Sequence, residues 1–378
     1  MAALYIHVPF CARKCAYCDF ASYDNQNGLI KEYFDALWKE IEIASGLYAI
    51  RGVSTVFFGG GTPSFVDAAY IAKTLEEAEK YIGICAGAEI TIEANPNSLD
   101  RGKLKTYLAA GVNRLSMGLQ SAEDRLLKLL GRLHTRELFE QAYLAAREAG
   151  FENISLDLIY GLPAQTLDGW RHTLEYAASL EPQHVSAYSL TIEEGTPLHA
   201  DLLAGKIEEA DEELERAMYH EAVAFLGSKG FERYEISNFA RPGLESRHNL
   251  AYWNRDDYLG IGAAAHSCVA EARFANTSGL DGYISCLRSG KTAYNTREDL
   301  DMRQREFEFI MLKLRLAKGF LLEEYEKLFG RDFEERFAAP LEKLVKAGLL
   351  GREKGRVFPT DKGFDLQNTV VLELVNNS

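Results

Sequence analysis

Long apolar runs are missing from this chain of 378 residues: no stretch approaches the ~20 residues that a membrane-spanning helix needs. A basic excess is missing too. With 42 Lys and Arg against 56 Asp and Glu, the net charge is −14, which favours solubility and argues against broad binding to a phosphate backbone. Nucleic acid is therefore not expected as a partner. No basic n-region, apolar h-region and small-residue cleavage site follow Met1, so an export signal is not visible and a cytoplasmic, reducing compartment is expected. Low-complexity segments and fixed-period repeats are absent. What remains, 47% hydrophobic and 26% charged residues with 31 Gly and 9 Pro, is the composition of an ordinary folded protein. At ~150 residues per domain, one large domain with one or two smaller ones is expected.

Cysteine is scarce, and its distribution is uneven. Cys11, Cys15 and Cys18 fall within one eight-residue window, whereas Cys85, Cys268 and Cys286 show no ligand-like spacing. In a reducing compartment a tight cluster points to metal rather than to disulfides. Cys85 and Cys286 are expected as buried thiols; Cys268, with His266 two residues before it, is expected in a structural role.

Short β-rich runs alternate with amphipathic ones. Residues 3–8 read as a strand, followed by the cysteine loop and a helix whose apolar face is Ile30, Tyr33, Phe34, Leu37, Trp38 and Ile41. The unit recurs with strands at 53–58, 89–94, 112–117, 153–160 and 184–190, and with helices from Asp67, from Asp100, through Gly150 and near 167–179. Six such units predict an α/β fold with parallel strands, a partial (β/α)6 barrel over residues 1–230. An open doubly wound sheet is the alternative, but its Gly-rich fingerprint after the first strand is missing. Six acids between Glu208 and Glu215 read as a solvated face within a long helix. Residues 231–300 are expected as an irregular α+β cover over the barrel mouth. Residues 301–378 are expected as a helical, winged-helix-like domain, with too small a basic excess for a DNA reader.

The spacing Cys11-x-x-x-Cys15-x-x-Cys18 offers three thiolates to one iron–sulfur cube and leaves one iron open to an exogenous amine and carboxylate. Structural zinc wants four closed ligands, and the nearest candidate, His7, lies on the first strand. Later strands end in further motifs: Gly59-Gly60-Gly61-Thr62-Pro63-Ser64, Glu93-Ala94-Asn95-Pro96, Ser116-Met117-Gly118-Leu119-Gln120-Ser121 with Arg132 beyond it, and Asp157 before Tyr160-Gly161-Leu162-Pro163. These are the C-terminal strand ends, where a barrel keeps its ligand contacts. Taken singly, each polar residue reads as a cap or surface ion pair. Together with the triad they do not.

This pattern resembles the radical S-adenosylmethionine (SAM) superfamily. The resemblance implies a [4Fe–4S] cluster on Cys11, Cys15 and Cys18, with Gly60, Gly61, Thr62, Glu93, Gln120, Arg132 and Asp157 at SAM-binding positions. Arg132 would fork the methionine carboxylate; Tyr17 would pack against adenine, and Tyr5 would line the same pocket. The segments LYIHVPFC, GGGTPS, GVNRLSMGLQS and DLIYGLPAQT are similar to the oxygen-independent coproporphyrinogen III oxidase group, over essentially the whole chain. Two departures matter: the oxidases carry a further cysteine two residues beyond the third, where this chain has Phe20, and a longer N-terminal arm than the ten residues preceding Cys11. Both point to the oxidase-like haem-chaperone branch, of HemW type. His248-Asn249-Leu250-Ala251-Tyr252-Trp253 is similar to that branch's His-Asn-x-x-Tyr-Trp motif, which places His248 as a haem-binding residue.

The resemblance thus implies a haem chaperone that binds the cluster, SAM and haem as cargo, and delivers haem to apo-haem proteins, with no catalytic residue assigned and homodimerisation left open. The competing function is a radical oxidase, in which the reduced cluster cleaves SAM and the resulting radical starts decarboxylation of a porphyrinogen propionate. A winged-helix regulator sensing through the cluster is a third reading, disfavoured by the acidic charge.

Overall fold

The computed structural model describes residues 2–376. Its first half is the expected βα series: β1 (Ala2–Val8), α1 (Ile30–Leu47), β2 (Val53–Gly60), α2 (Ala68–Tyr81), β3 (Ile84–Ala94), α3 (Arg101–Ala109), β4 (Arg114–Gln120), α4 (Asp124–Leu129), α5 (Arg136–Ala149), β5 (Asn153–Tyr160), α6 (Leu167–Ser179) and β6 (His184–Ser189). Local chemistry sets the helix limits. Asp67, Asp100, Thr135 and Thr166 each turn a side-chain oxygen onto a backbone N–H of the following first turn, satisfying donors that a helix start leaves open. Gly150 ends α5 in the left-handed conformation, with φ of 113°, which its missing Cβ permits.

The six strands run parallel in the order β1 to β6. Buried Trp170 on α6 closes the helix layer at one side by donating Nε1–H to the carbonyl of Met218 at 2.8 Å, on the helix α8 (Glu212–Ser228), which follows the short α7 (Pro197–Leu203).

Residues 231–300 have the expected α+β character but are more regular than a cover. After β7 (Glu232–Arg233), β8 (Asn238–Ala240) and α9 (Arg247–Trp253), strand β9 (Tyr258–Ile261) pairs in parallel with β1. Then β10 (His266–Val269), β11 (Ala272–Asn276), α10 (Leu280–Arg288) and β12 (Tyr294–Asp299) extend that edge, while β8 pairs antiparallel with β6 at the other. The result is one sheet of 12 strands in the order β12-β11-β10-β9-β1-β2-β3-β4-β5-β6-β8-β7. Its edges do not pair with each other, so the barrel is partial. The C-terminal region builds its own core around Phe309, Phe320, Tyr325, Phe333 and Phe337. There the helix Ala338–Lys346 leads into two antiparallel strands, Leu350–Glu353 and Arg356–Pro359, as a winged-helix shape requires.

Two local expectations are corrected. The acidic run straddles a helix start instead of lying wholly inside a long helix: Glu208 and Glu209 precede α8, Asp211 caps it, and Glu212, Glu213 and Glu215 occupy its first turn, where carboxylates complement the positive end of the helix dipole. Cys85 is exposed rather than buried. The register of β3 on β2 jumps from Val53↔Ile84 to Thr55↔Glu89, so residues between Ile84 and Glu89 bulge out of the ladder.

Glu40 ties the added strands to α1. Its buried carboxylate accepts from Gly262 N–H at 2.7 Å, Asn276 Nδ2 at 2.6 Å and Tyr283 Oη at 2.6 Å. Burial nonetheless pushes its pKa up to about 7 against these donors. The folded state then holds this proton more tightly than the unfolded chain, so the Glu40 contribution to stability falls as pH rises from about 4.5 to 7. Glu40→Gln removes that slope. In urea unfolding, the stability of the variant relative to the native protein is expected to improve between pH 5 and pH 8, by up to about 3 kcal/mol; parallel profiles contradict this.

Candidate functional site

The alternation of β-strand side chains gives the barrel a polar interior. On β4 the inward positions are Arg114, Ser116, Gly118 and Gln120; the facing positions of β3, β5 and β6 supply Glu93, Asp157, His184 and Ser186, and all line one cavity of about 540 Å³. Tyr5, Cys11, Cys15, Tyr17, Cys18, Gly60, Gly61, Thr62, Arg132 and His248 line the same cavity. Every residue expected to hold the cluster, SAM or haem therefore meets in one place.

The cysteine loop is clasped to the strand ends by main-chain bonds. Gly61 N–H donates to the Val8 carbonyl and Thr62 N–H to that of Phe10, both at 2.9 Å, while Cys11 N–H donates to Tyr23 and Tyr23 N–H to Pro9. Two glycines make this approach feasible. A Cβ on Gly60, whose φ is 110°, would stand 2.6 Å from the His7 ring, and one on Gly61 would stand 2.9 Å from the Phe10 carbonyl oxygen. Polar groups then meet the thiols: Thr62 Oγ1 donates to Cys11 Sγ at 3.5 Å, Arg132 Nη1 donates to Cys15 Sγ at 3.5 Å, and Ser22 Oγ lies 3.9 Å from Cys18 Sγ. Burial pushes the Cys11 and Cys18 thiols up, a bias that metal ligation reverses.

Gly118 makes room for the next group. A Cβ there would stand 2.6 Å from Gln120 Nε2 and 3.0 Å from Arg132 Nη2. Arg132 also donates to the Gly118 carbonyl at 3.2 Å, and its buried Nε has no partner. Gln120 is held in the left-handed region, with φ of 66°, which aims a buried amide into the cavity at the cost of backbone strain. Tyr17 packs against the small apolar cluster formed by Leu126, Leu130, Ile159 and Leu162.

Below these lie two carboxyls. Asp157 accepts from Ser116 Oγ at 3.0 Å, and burial raises its pKa against that hydroxyl, Ser186 and the nearby arginines. Burial, with Asp157 adding repulsion, pushes Glu93 up to about 8, opposed by the Gly60 N–H and Arg114. The sequence reading missed Arg114. Its side chain is only 2% exposed, takes part in no hydrogen bond or ion pair among the described residues, and leaves Nε without a partner. Its field holds down His184 and His248, adding to the larger effect of their burial. The available signal was the run Arg114-x-Ser116-x-Gly118-x-Gln120, a non-apolar residue at every inward position of a strand.

His248 sits at 1% exposure with both ring nitrogens engaged: Nδ1 is 2.9 Å from Thr55 Oγ1 and Nε2 is 3.0 Å from Tyr252 Oη. Its helix α9 is anchored by Glu89, whose carboxylate accepts from the N–H groups of Arg247 and His248. The imidazole expected to bind haem therefore lines the cavity with both nitrogens already partnered. Its neighbour Tyr252 lines the cavity, as does Asn249.

The donor set can be tested against the implied cluster. No group of three or more His, Cys, Asp or Glu among the described residues is gathered so as to hold a metal ion. A cube needs one thiolate per iron rather than three converging on one. Three free thiols on one loop, each beside a donor, fit that requirement, and the orphaned Nε of Arg132 beside them fits a carboxylate.

Known proteins agree. Residues 5–177 match the model of the radical SAM superfamily, and residues 300–366 match that of the HemN C-terminal domain. The solved radical SAM enzyme coproporphyrinogen III oxidase (HemN) from Escherichia coli superposes with a TM-score of 0.86 over 100% of this chain and 90% of that one, at 26% identity. Fold and site together define a radical SAM protein, a class that implies a [4Fe–4S] cluster and SAM. The heme chaperone HemW of Bacillus subtilis (strain 168) is 35% identical over 371 residues, 98% of each chain, and that of Lactococcus lactis subsp. lactis is 34% identical over 97% of this chain and 95% of its own length. The chain belongs to the heme chaperone HemW family.

Replacing Cys11, Cys15 or Cys18 by Ser is expected to abolish the brown chromophore after anaerobic reconstitution; retention of four irons per chain contradicts the ligand assignment. Gly118→Ala is expected to keep the iron but to weaken SAM binding about tenfold or more, roughly 1.4 kcal/mol, because its Cβ displaces Gln120 and Arg132. Unaltered SAM affinity by equilibrium dialysis contradicts that.

Proposed function

We propose that this protein is a cytoplasmic haem chaperone: it holds a [4Fe–4S] cluster and SAM in the barrel, binds haem as cargo, and delivers it to apo-haem proteins, respiratory ones among them. The observation that carries this reading is Phe20. It stands where the related oxidases place a further cysteine, and the residue is 65% exposed two positions beyond Cys18, an apolar side chain rather than another thiol. Family membership supports the same reading, through relatives named for haem chaperoning.

In this reading Cys11, Cys15 and Cys18 hold three irons, and Thr62, Arg132 and Ser22 place donors against the sulfurs. Arg132 presents its free Nε to the SAM carboxylate, and the Gly60–Gly61 backbone gives room for its amine. Glu93 and Asp157 accept hydrogen bonds from ribose hydroxyls or the ammonium, with Gln120 above them and Tyr17 and Tyr5 as aromatic walls. Once bound, the reduced cluster can supply one electron to the sulfonium. Binding and cargo transfer need no such turnover.

The oxidase remains the second reading, favoured by the overall likeness to HemN. The two separate in one anaerobic assay of the reconstituted chain with coproporphyrinogen III, SAM and a reductant. The chaperone reading expects no protoporphyrinogen, and a saturable haem complex in a parallel titration; catalytic formation of protoporphyrinogen overturns it.

Glu93 also makes SAM binding dependent on pH. A carboxyl titrating near pH 8 is neutral in the empty site at pH 7, whereas cationic SAM favours its ionised form. Affinity should therefore rise toward pH 8, by up to about tenfold per pH unit below it, and binding should release a proton. Glu93→Gln should flatten the profile; a native profile already flat contradicts the role given to Glu93.

A further inference from the structure

We infer that haem is held in a second cavity beside the cluster loop, with His266 as its axial ligand and His248 as a positioning residue behind the cavity wall. This rests on the haem-chaperone reading above. The cavity measures about 480 Å³ and is lined by Tyr5, Phe20, Tyr252, Tyr258, Ala264 and His266, among others. Tyr5, Phe20 and Tyr252 also line the barrel cavity, so the two spaces share a wall.

The chemistry of the imidazoles separates the candidates. An axial ligand must offer iron a free nitrogen lone pair. His7 is engaged at both nitrogens, by Tyr5 Oη and the Ala21 carbonyl, and His184 is engaged by Ser155 and Tyr234. His248 is engaged by Thr55 and Tyr252. His266 is exposed, and its ring makes no hydrogen bond or ion pair among the described residues, yet it lines an aromatic cavity.

Its support is rigid. His266 opens β10 after a turn in which Gly262 and Ala264 both have positive φ, 109° and 61°. A Cβ on Gly260 would stand 2.2 Å from the His266 carbonyl oxygen, so strand and turn press together and hold the residue in place.

The rest of the cavity suits a porphyrin. Phe20 exposes most of its ring, and a flat apolar macrocycle would cover it. Tyr252 meets Tyr258 edge-on at 4.7 Å. Its hydroxyl is the one bonded to His248 Nε2, so His248 orients the tyrosine wall from the barrel side. Asp19 also lines this cavity, and Lys14, which lines the neighbouring barrel cavity, donates Nζ–H to the Phe20 carbonyl at 2.9 Å.

The test is a haem titration of the full reconstituted chain, read by the Soret band and by affinity, with cluster iron measured in parallel. The native protein is expected to give an imidazole-ligated spectrum. His266→Ala should lose that spectrum and about tenfold or more in affinity, with added imidazole restoring the band and cluster iron at the native level. His248→Ala should keep the imidazole-ligated spectrum while weakening affinity, because Tyr252 loses its partner. A native-like spectrum in His266→Ala, or its loss in His248→Ala alone, overturns the inference. Absence of a haem complex in the native protein overturns the chaperone reading itself.

Discussion

Two main-chain hydrogen bonds, from Gly61 to Val8 and from Thr62 to Phe10, hold the strand ends against the cysteine loop, and the rest of the site depends on them. They require the backbone to pass where any side chain would strike the His7 ring or the Phe10 carbonyl. That contact brings Thr62 to Cys11, and the loop in turn meets Arg132 and Ser22. A clasp made of backbone spends no side chain on holding the loop, so the three thiols stay unbridged and Arg132 Nε stays without a partner.

The opposing constraint is electrostatic. A barrel interior is ordinarily filled by branched apolar residues, whereas this one encloses Glu93, Asp157, Arg114, His184 and His248. Burying them is unfavourable unless they are paired. Hydroxyls of Ser116, Ser155, Thr55 and Tyr252 satisfy the carboxyl and the imidazoles, but Arg114 and Arg132 retain open donors. Stability is given up there for a polar cavity, as expected where function rather than packing dictates residue choice.

Much of this architecture was legible in the sequence because its determinants are local. The limits of β5 and α6 follow from hydrophobic period and from Thr166 as a cap, and the triad and the strand-end motifs are contiguous. What escaped is long-range. The pairing of residues 3–6 with 258–261 joins distant segments through a strand too short to carry a periodic signal. The bulge that exposes Cys85 depends on register, which no single strand encodes. The motif around His248 was legible as a unit but its hydrogen bonding was not, since Thr55, the residue that engages Nδ1, is 193 positions away.

A haem chaperone receives haem in order to give it away. The most direct test is to load the reconstituted chain with haem, add an apo-haem protein together with an excess of a haem scavenger, and follow the acceptor spectrum. Chaperoning predicts that the acceptor fills despite the scavenger, at a rate that rises with acceptor concentration. Haem captured by the scavenger alone, at a rate indifferent to the acceptor, would contradict the claim.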